Sequence, residues 1–141
     1  MKWLPIRTYR HIAACVPLLC VDGIIGSKGR FLLLKRRIPP FQGRWWVPGG
    51  RVRKGERLAE AFKRIMRAEI GVNLRDFSIA GIYEVHHLSQ DTKIPGGRHV
   101  VSVVFETSLP ADETITLDAQ HTAWKWAERL PRNFRLQEFG A

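Results

Sequence analysis

Between Leu58 and Val72 the apolar positions recur at helical spacing. At about 100° per residue, Leu58, Ala61, Phe62, Ile65, Ala68 and Val72 fall on one face, while Glu60, Lys63, Arg64 and Arg67 point mostly elsewhere. Gly71 is expected to end this helix, because the residue just past a helix end often needs positive φ. Glu69 breaks the division, lying near the middle of the apolar face one turn beyond Ile65. An ionised carboxylate there is costly unless a cation or hydrogen-bond donors compensate it. The alternative is a boundary carboxylate at a fraying helix end. A glycine loop, Gly49-Gly50-Arg51, feeds the helix.

The other apolar stretches read as strands. Ala13 to Ile25 is rich in Val, Ile and Leu and predicts a buried strand; Gly26-Ser27-Lys28-Gly29 is a turn signal, and Arg30 to Arg36 completes a hairpin. Leu4 to His11 fits a short helix or an arm, with Pro5 near its start, and Trp3 and Tyr9 either cover core or stack on a base. Pro39-Pro40 marks a loop before a short strand, Trp45-Trp46-Val47. Adjacent residues of a strand face opposite ways, so at least one of the two tryptophans should line a pocket or an interface. Phe77 to His87 and Arg98 to Thr107 predict two more strands, separated by a polar loop containing Pro95-Gly96-Gly97. Leu109 to Gln120 is acidic and turn-rich. Ala123 to Ala127 predicts a last strand with Trp124 and Trp126 on one face, and Pro131 onward a short helical or irregular tail. One strong helix in the middle, a weak one at the end and a majority of strands imply an α/β fold, a mixed sheet covered by helices.

The 141 residues suffice for a single domain, 1–141, with a real core. No apolar run approaches the roughly 18 residues of a membrane span, and the start lacks a signal-peptide stretch, so a cytoplasmic protein is expected. Cys15 and Cys20 have no His or Cys partners at ligand spacing and read as reduced core residues. The net charge of +10 is unevenly placed: residues 28–67 hold thirteen Lys or Arg against Glu56 and Glu60, a net +11, and the rest of the chain nets −1. A field concentrated around the glycine loop would gather anionic ligands. Nucleic acid and a diphosphate both qualify, and the glycine loop favours the diphosphate.

Asp22, set between Val21 and Gly23-Ile24-Ile25, is either at a sheet edge or lining a site. His121 lies in the turn-rich stretch Leu117-Asp118-Ala119-Gln120-His121-Thr122. An imidazole with an ordinary pKa near 6.5 suits proton abstraction at neutral pH; a surface-loop histidine is the bland alternative.

The helix and its glycine loop together resemble the Nudix box, with Gly50, Glu56, Arg64, Met66, Glu69, Gly71 and Val72 in register and two family glutamates replaced by Ile65 and Ala68. GDP-mannose mannosyl hydrolases carry a similarly reduced box, and the resemblance to them extends outside it. It runs through Val21-Asp22, Phe31-Leu32-Leu33, Lys35-Arg36, Gln42-Gly43, Val47-Pro48-Gly49-Gly50-Arg51-Val52 and Gln120-His121. It covers roughly Pro17 to Trp126.

The resemblance implies a Nudix-type α/β/α sandwich with one central catalytic helix. It implies one Mg²⁺ held by the Gly49 carbonyl, Glu69 and Gln120, with His121 activating water against the anomeric carbon of a nucleotide sugar. Arg36, Arg51 and Arg64 would neutralise the leaving diphosphate, where charge develops, although the box arginine also has a structural role. Asp22, Arg36, Arg51 and His86 would contact substrate, and Glu56 at the helix start is mainly structural. A family histidine falls opposite Val85, so that His86 or His87 replaces it, and a family tyrosine appears as Val100 with His99 adjacent. A homodimer is suggested by the same resemblance. Three readings result: a GDP-mannose or GDP-glucose hydrolase attacking carbon, a pyrophosphohydrolase cutting phosphorus–oxygen bonds, or an inert nucleotide-sugar or RNA-binding domain. The missing box acids argue against the second and Gln120-His121 against the third.

Overall fold

The computed structural model describes residues 4–38, 42–86 and 92–138. Trp3, Pro39-Pro40, His87 and part of the loop before Gly97 lie outside them. The elements in chain order are α1 (Ile6–Cys15), β1 (Leu18–Ser27), β2 (Arg30–Arg36), β3 (Trp45–Trp46), β4 (Gly49–Arg51), α2 (Leu58–Ile70), β5 (Ser78–Val85), β6 (Val100–Ser108) and β7 (His121–Ala127). They form one mixed sheet ordered β3-β2-β1-β6-β5, with β4 paired to β1 and β7 to β2. The fold is the α/β sandwich expected.

The first predicted strand is shorter than expected. Ala13, Ala14 and Cys15 belong to α1, and β1 begins only at Leu18. The boundary is set by Pro17, which disfavours helical backbone at the preceding residue; Val16 is extended, with φ −141° and ψ 156°. The weak helix therefore stands at the start of the chain. The tail after Pro131 forms no helix among the described residues, although its Phe134 is buried. Cys15 is exposed on α1 and Cys20 half-buried on β1, both as free thiols, so Cys15 is not a core residue. Burial pushes the Cys20 thiol up to about 12.

β1 runs parallel to β6 over nine pairs, Leu18↔Val100 to Gly26↔Ser108. Its other edge is divided. β2 pairs with it only at Gly26↔Phe31 and Ser27↔Arg30, next to the turn, and then peels away to pair with β7 and β3. The gap is filled by the short β4, which pairs with β1 at Cys20↔Arg51, Val21↔Gly50 and Asp22↔Gly49. The glycine loop expected before the helix is thus a strand, seated where the first two strands diverge.

α2 covers one face of the sheet. Ala61, Phe62, Ile65, Met66, Glu69 and Ile70 are buried. The buried face is rotated toward Met66 and Ile70, so Ala68, expected inside, is exposed. Phe62 stacks on Phe105 with centroids 4.8 Å apart and meets Phe77 edge-on at 5.1 Å. Gly71 ends the helix in the left-handed region at φ 71°. On the other face Trp46, Tyr83 and Phe134 form an aromatic cluster, and Trp46 lines a cavity of about 490 Å³. Trp45 packs against the same apolar cluster and is covered by Lys125, 4.3 Å from its ring. No described helix is long and apolar enough to cross a membrane.

Phe62 is fully buried at the centre of the aromatic trio. Phe62→Ala is expected to cost about 3–5 kcal/mol, the range for deleting a buried aromatic ring, measured as a fall in urea midpoint at unchanged slope.

Candidate active site

A helix leaves its last carbonyls without intrahelical partners. In α2 two of them are taken by the returning chain: Thr116 N–H donates to Ile70 O at 2.9 Å and Asp118 N–H to Glu69 O at 3.3 Å. These bonds bring Asp118 beside the end of the helix. The chain then joins the sheet one residue after Gln120. Arg37 N–H donates to Gln120 O at 2.7 Å, and Arg36 pairs with His121 across a bulge between Lys35 and Arg36. His121 is therefore the first residue of β7 and is 5% exposed, not the loop residue its surroundings suggested.

Glu69 is 7% exposed, and its Oε1 accepts the Gly49 N–H at 2.9 Å. Burial pushes its carboxyl up to about 8, against the Gly49 N–H and Arg36; the charges of Asp118 and Asp22 add to the rise. Asp118 Oδ1 lies 2.7 Å from His121 Nδ1 and accepts the Gln120 N–H at 3.1 Å. Ligand atoms of Glu69, Asp118 and His121 all lie within 4.8 Å of one another. Asp22 borders the same gap. Its Oδ2 accepts the Ser102 hydroxyl, and desolvation pushes its carboxyl up to about 6. Gly49 is fixed as glycine by this packing, since a Cβ there would lie 1.9 Å from Asp22 Oδ1 and 2.7 Å from Val21 O.

A divalent cation fits this donor set. Hard oxygen ligands suit magnesium, and Glu69 brings a buried carboxylate oxygen within 4.8 Å of ligand atoms of Asp118 and His121. Of the residues expected to hold the ion, Gly49 is bonded to Glu69 through its N–H, while Gln120 is tied through its backbone to Asp118 and Arg37. Asp118 was not singled out from the sequence. Its signal was local, an Asp two residues before an N–H it could bond and three before a histidine.

The arginines divide. Burial pushes the Arg36 guanidinium down, Glu69, Asp118 and Asp22 hold it up, and Arg98 opposes them, placing Arg36 in the field of the acidic cluster. The Arg51 guanidinium lies 4.5 Å above the Tyr9 ring, whose hydroxyl accepts from Arg98 Nη1 at 3.0 Å; Tyr9 thus stacks on one of the protein's own cations. Arg64 is tied to Glu56 through Nε at 2.7 Å and Nη2 at 2.9 Å, and Nη2 also donates to Arg51 O at 2.9 Å. Arg64 therefore fastens α2 to β4. His86 sits elsewhere, just beyond β5, 2.7 Å from Glu84 and stacked on His99.

A family model described as "NUDIX domain" matches residues 11–129. The low-salt glycan biosynthesis protein Agl8 of Haloferax volcanii is 34% identical over 122 residues, 86% of this chain and 78% of that protein. An ADP-ribose pyrophosphatase of Methanocaldococcus jannaschii is 38% identical over 99 residues, 70% of this chain but only 52% of that protein. Among solved structures, a MutT NUDIX hydrolase from Burkholderia pseudomallei superposes with a TM-score of 0.68 at 26% identity, covering 85% of this chain and 91% of that one.

The Glu56–Arg64 bond predicts a pH signature. The Arg64 hydrogen bond lowers the Glu56 carboxyl from 4.5 to about 2. A depressed folded pKa stabilises the protein above the unfolded value, and that stability is lost as pH falls through the folded one. Glu56→Gln is expected to lower the melting temperature at pH above about 5, with the difference from wild type shrinking steadily between there and about 2. Thermal melts across this range measure it.

Proposed function

The chain belongs to the NUDIX domain family of hydrolases, and we propose that within it the protein hydrolyses a nucleotide sugar, GDP-mannose or GDP-glucose, to GDP and the free sugar by attack at the anomeric carbon. The observation that carries this reading is the Asp118–His121 pair standing against a single helix carboxylate, Glu69. Where the resembled box has two further glutamates, Ile65 is packed in the core and Ala68 carries no ligand. A site so poor in carboxylates is suited to one divalent ion and leaves proton transfer to the imidazole.

Glu69, Asp118, the Gly49 carbonyl and Gln120 would hold the ion. Magnesium, when bound, would stabilise negative charge on the leaving diphosphate. With His121 Nδ1–H donating to Asp118, Nε2 carries the lone pair and takes a proton from water. The water oxygen forms the new bond to the anomeric carbon. The bond from that carbon to the diphosphate oxygen breaks, its electron pair leaves with GDP, and the sugar inverts. The Asp118 carboxylate supports the imidazolium that results, as an orienting acid does in other His-dependent hydrolases. Arg36 and Arg51 serve the diphosphate and Asp22 the sugar. The cavity beside Trp46 and Tyr83, about 490 Å³, falls in the size range of small-molecule sites and would take the base. Arg64 acts through Arg51, whose carbonyl it holds.

The relative named for glycan biosynthesis supports a nucleotide-sugar substrate. The relative named as an ADP-ribose pyrophosphatase supports the second reading, attack at phosphorus. Hydrolysis of GDP-mannose in ¹⁸O water separates them: label in the sugar is expected, and label in a phosphate product would reject attack at carbon. His121→Ala is expected to lower kcat by about 10²–10⁴, the usual contribution of a general base, while nucleotide-sugar binding is retained. A loss confined to kcat marks an interaction made only in the transition state; a loss wholly in binding would remove His121 as the base.

A further inference from the structure

Apart from the cluster around Glu69, the described residues contain a second convergence of metal-binding groups, at the far end of the β5–β6 pair. The last pair of that ladder is Val85↔Val100. One step beyond it His86 stands opposite His99. Glu84 precedes His86 by two residues and so shares its side of the ladder, because side chains of a strand alternate. The three side chains meet: His86 Nε2 is 2.7 Å from Glu84 Oε1, and His99 Nε2 is 3.7 Å from the same oxygen. The two imidazoles are stacked, centroids 4.1 Å apart and planes 22° from parallel, so both turn the same nitrogen toward one carboxylate.

His99 Nε2 is the telling atom. It is shielded from solvent and has no hydrogen-bond partner among the described residues, and 3.7 Å is too far for a bond to Glu84. A buried polar atom without a partner is rare and costly. Two donors each ~2.0–2.1 Å from a zinc ion at the tetrahedral angle would be roughly 3.3 Å apart. The two nitrogen–oxygen separations here, 2.7 Å and 3.7 Å, bracket that value. His86 and His99 also border a cavity of about 270 Å³ against the end of α1, which leaves room for water ligands.

We propose that Glu84, His86 and His99 form a second metal site that takes a transition-metal ion of the zinc class. Two imidazoles and one carboxylate suit zinc, copper or non-haem iron; magnesium, which favours an all-oxygen shell, belongs with Glu69 instead. The ion would satisfy His99 Nε2 and replace the His86–Glu84 hydrogen bond. It would also tie the end of β5 to the start of β6. The proposal does not rest on the proton transfer proposed above, which uses neither histidine, although the resemblance implies a substrate contact for His86.

The test is zinc titration of the metal-free full chain by calorimetry at neutral pH, with zinc alone as the probe. Wild type and Glu69→Gln are each expected to bind zinc at this site with the same affinity. His99→Ala and His86→Ala are expected to weaken that binding at least as much as the roughly 10–100-fold that loss of an outer-shell partner costs. Imidazole ¹⁵N spectra of the wild type supply a readout that does not depend on a variant folding: zinc should shift Nε2 of both His86 and His99. Zinc binding abolished by Glu69→Gln, binding unaffected by both histidine variants, or Nε2 signals that do not move would overturn the proposal.

Discussion

The molecule turns on one buried carboxylate. Glu69 sits at the end of α2 with its side chain inside the protein, held by the Gly49 N–H. Burying that group demands a backbone brought very close. Only glycine permits it, because Asp22 and the Val21 carbonyl already fill the space a Cβ would need. The close approach in turn requires a place for β4 in the sheet, and that place exists because β2 leaves β1 after two pairs. Sheet topology, the glycine pair and the acidic helix end thus answer the same constraint.

The supports around this point are of two kinds. Apolar packing fixes the helix against the sheet through Phe62, Phe77 and Phe105. Polar contacts then fix its two ends. From its middle, Arg64 grips both Glu56, just ahead of the helix start, and the Arg51 carbonyl. At its finish, the carbonyls of Glu69 and Ile70 hold the segment that carries Asp118. Such a fork of donors to a carboxylate and a carbonyl is geometrically restrictive, which is why Arg64 orders the glycine strand while Arg36 stands in the field of the acids.

The composition of the site bears on its chemistry. A helix rich in carboxylates could gather several cations; this one offers Glu69, and the next acid comes from another segment, Asp118. That second acid is bonded to an imidazole. The arrangement therefore brings two carboxylates and an imidazole within a few ångströms, the grouping on which the proposed mechanism rests. Among the basic residues concentrated between 28 and 67, Arg36 stands in the field of these acids.

The sequence by itself determined the central helix, its stop at Gly71, the hairpin of β1 and β2, and β6. Each rests on local periodicity or turn chemistry, which a linear pattern records. It also marked Glu69 as anomalous, because a charge on an apolar face violates that periodicity. It misplaced the start of β1, where apolar content outweighed the stop signal of Pro17; it left a helix or an arm open at Leu4 to His11, where α1 forms, and a helical or irregular tail open after Pro131, where no helix forms among the described residues. What only the tertiary structure decided was which distant groups meet. That Asp118 lies against His121 and Glu69 depends on helix carbonyls paired with a returning segment, and that Tyr9 carries Arg51 depends on where α1 packs. These contacts join residues up to 89 positions apart, as in the Tyr9–Arg98 bond. Periodicity says which way a side chain faces along its own element; it carries no information about which other element is brought to meet it.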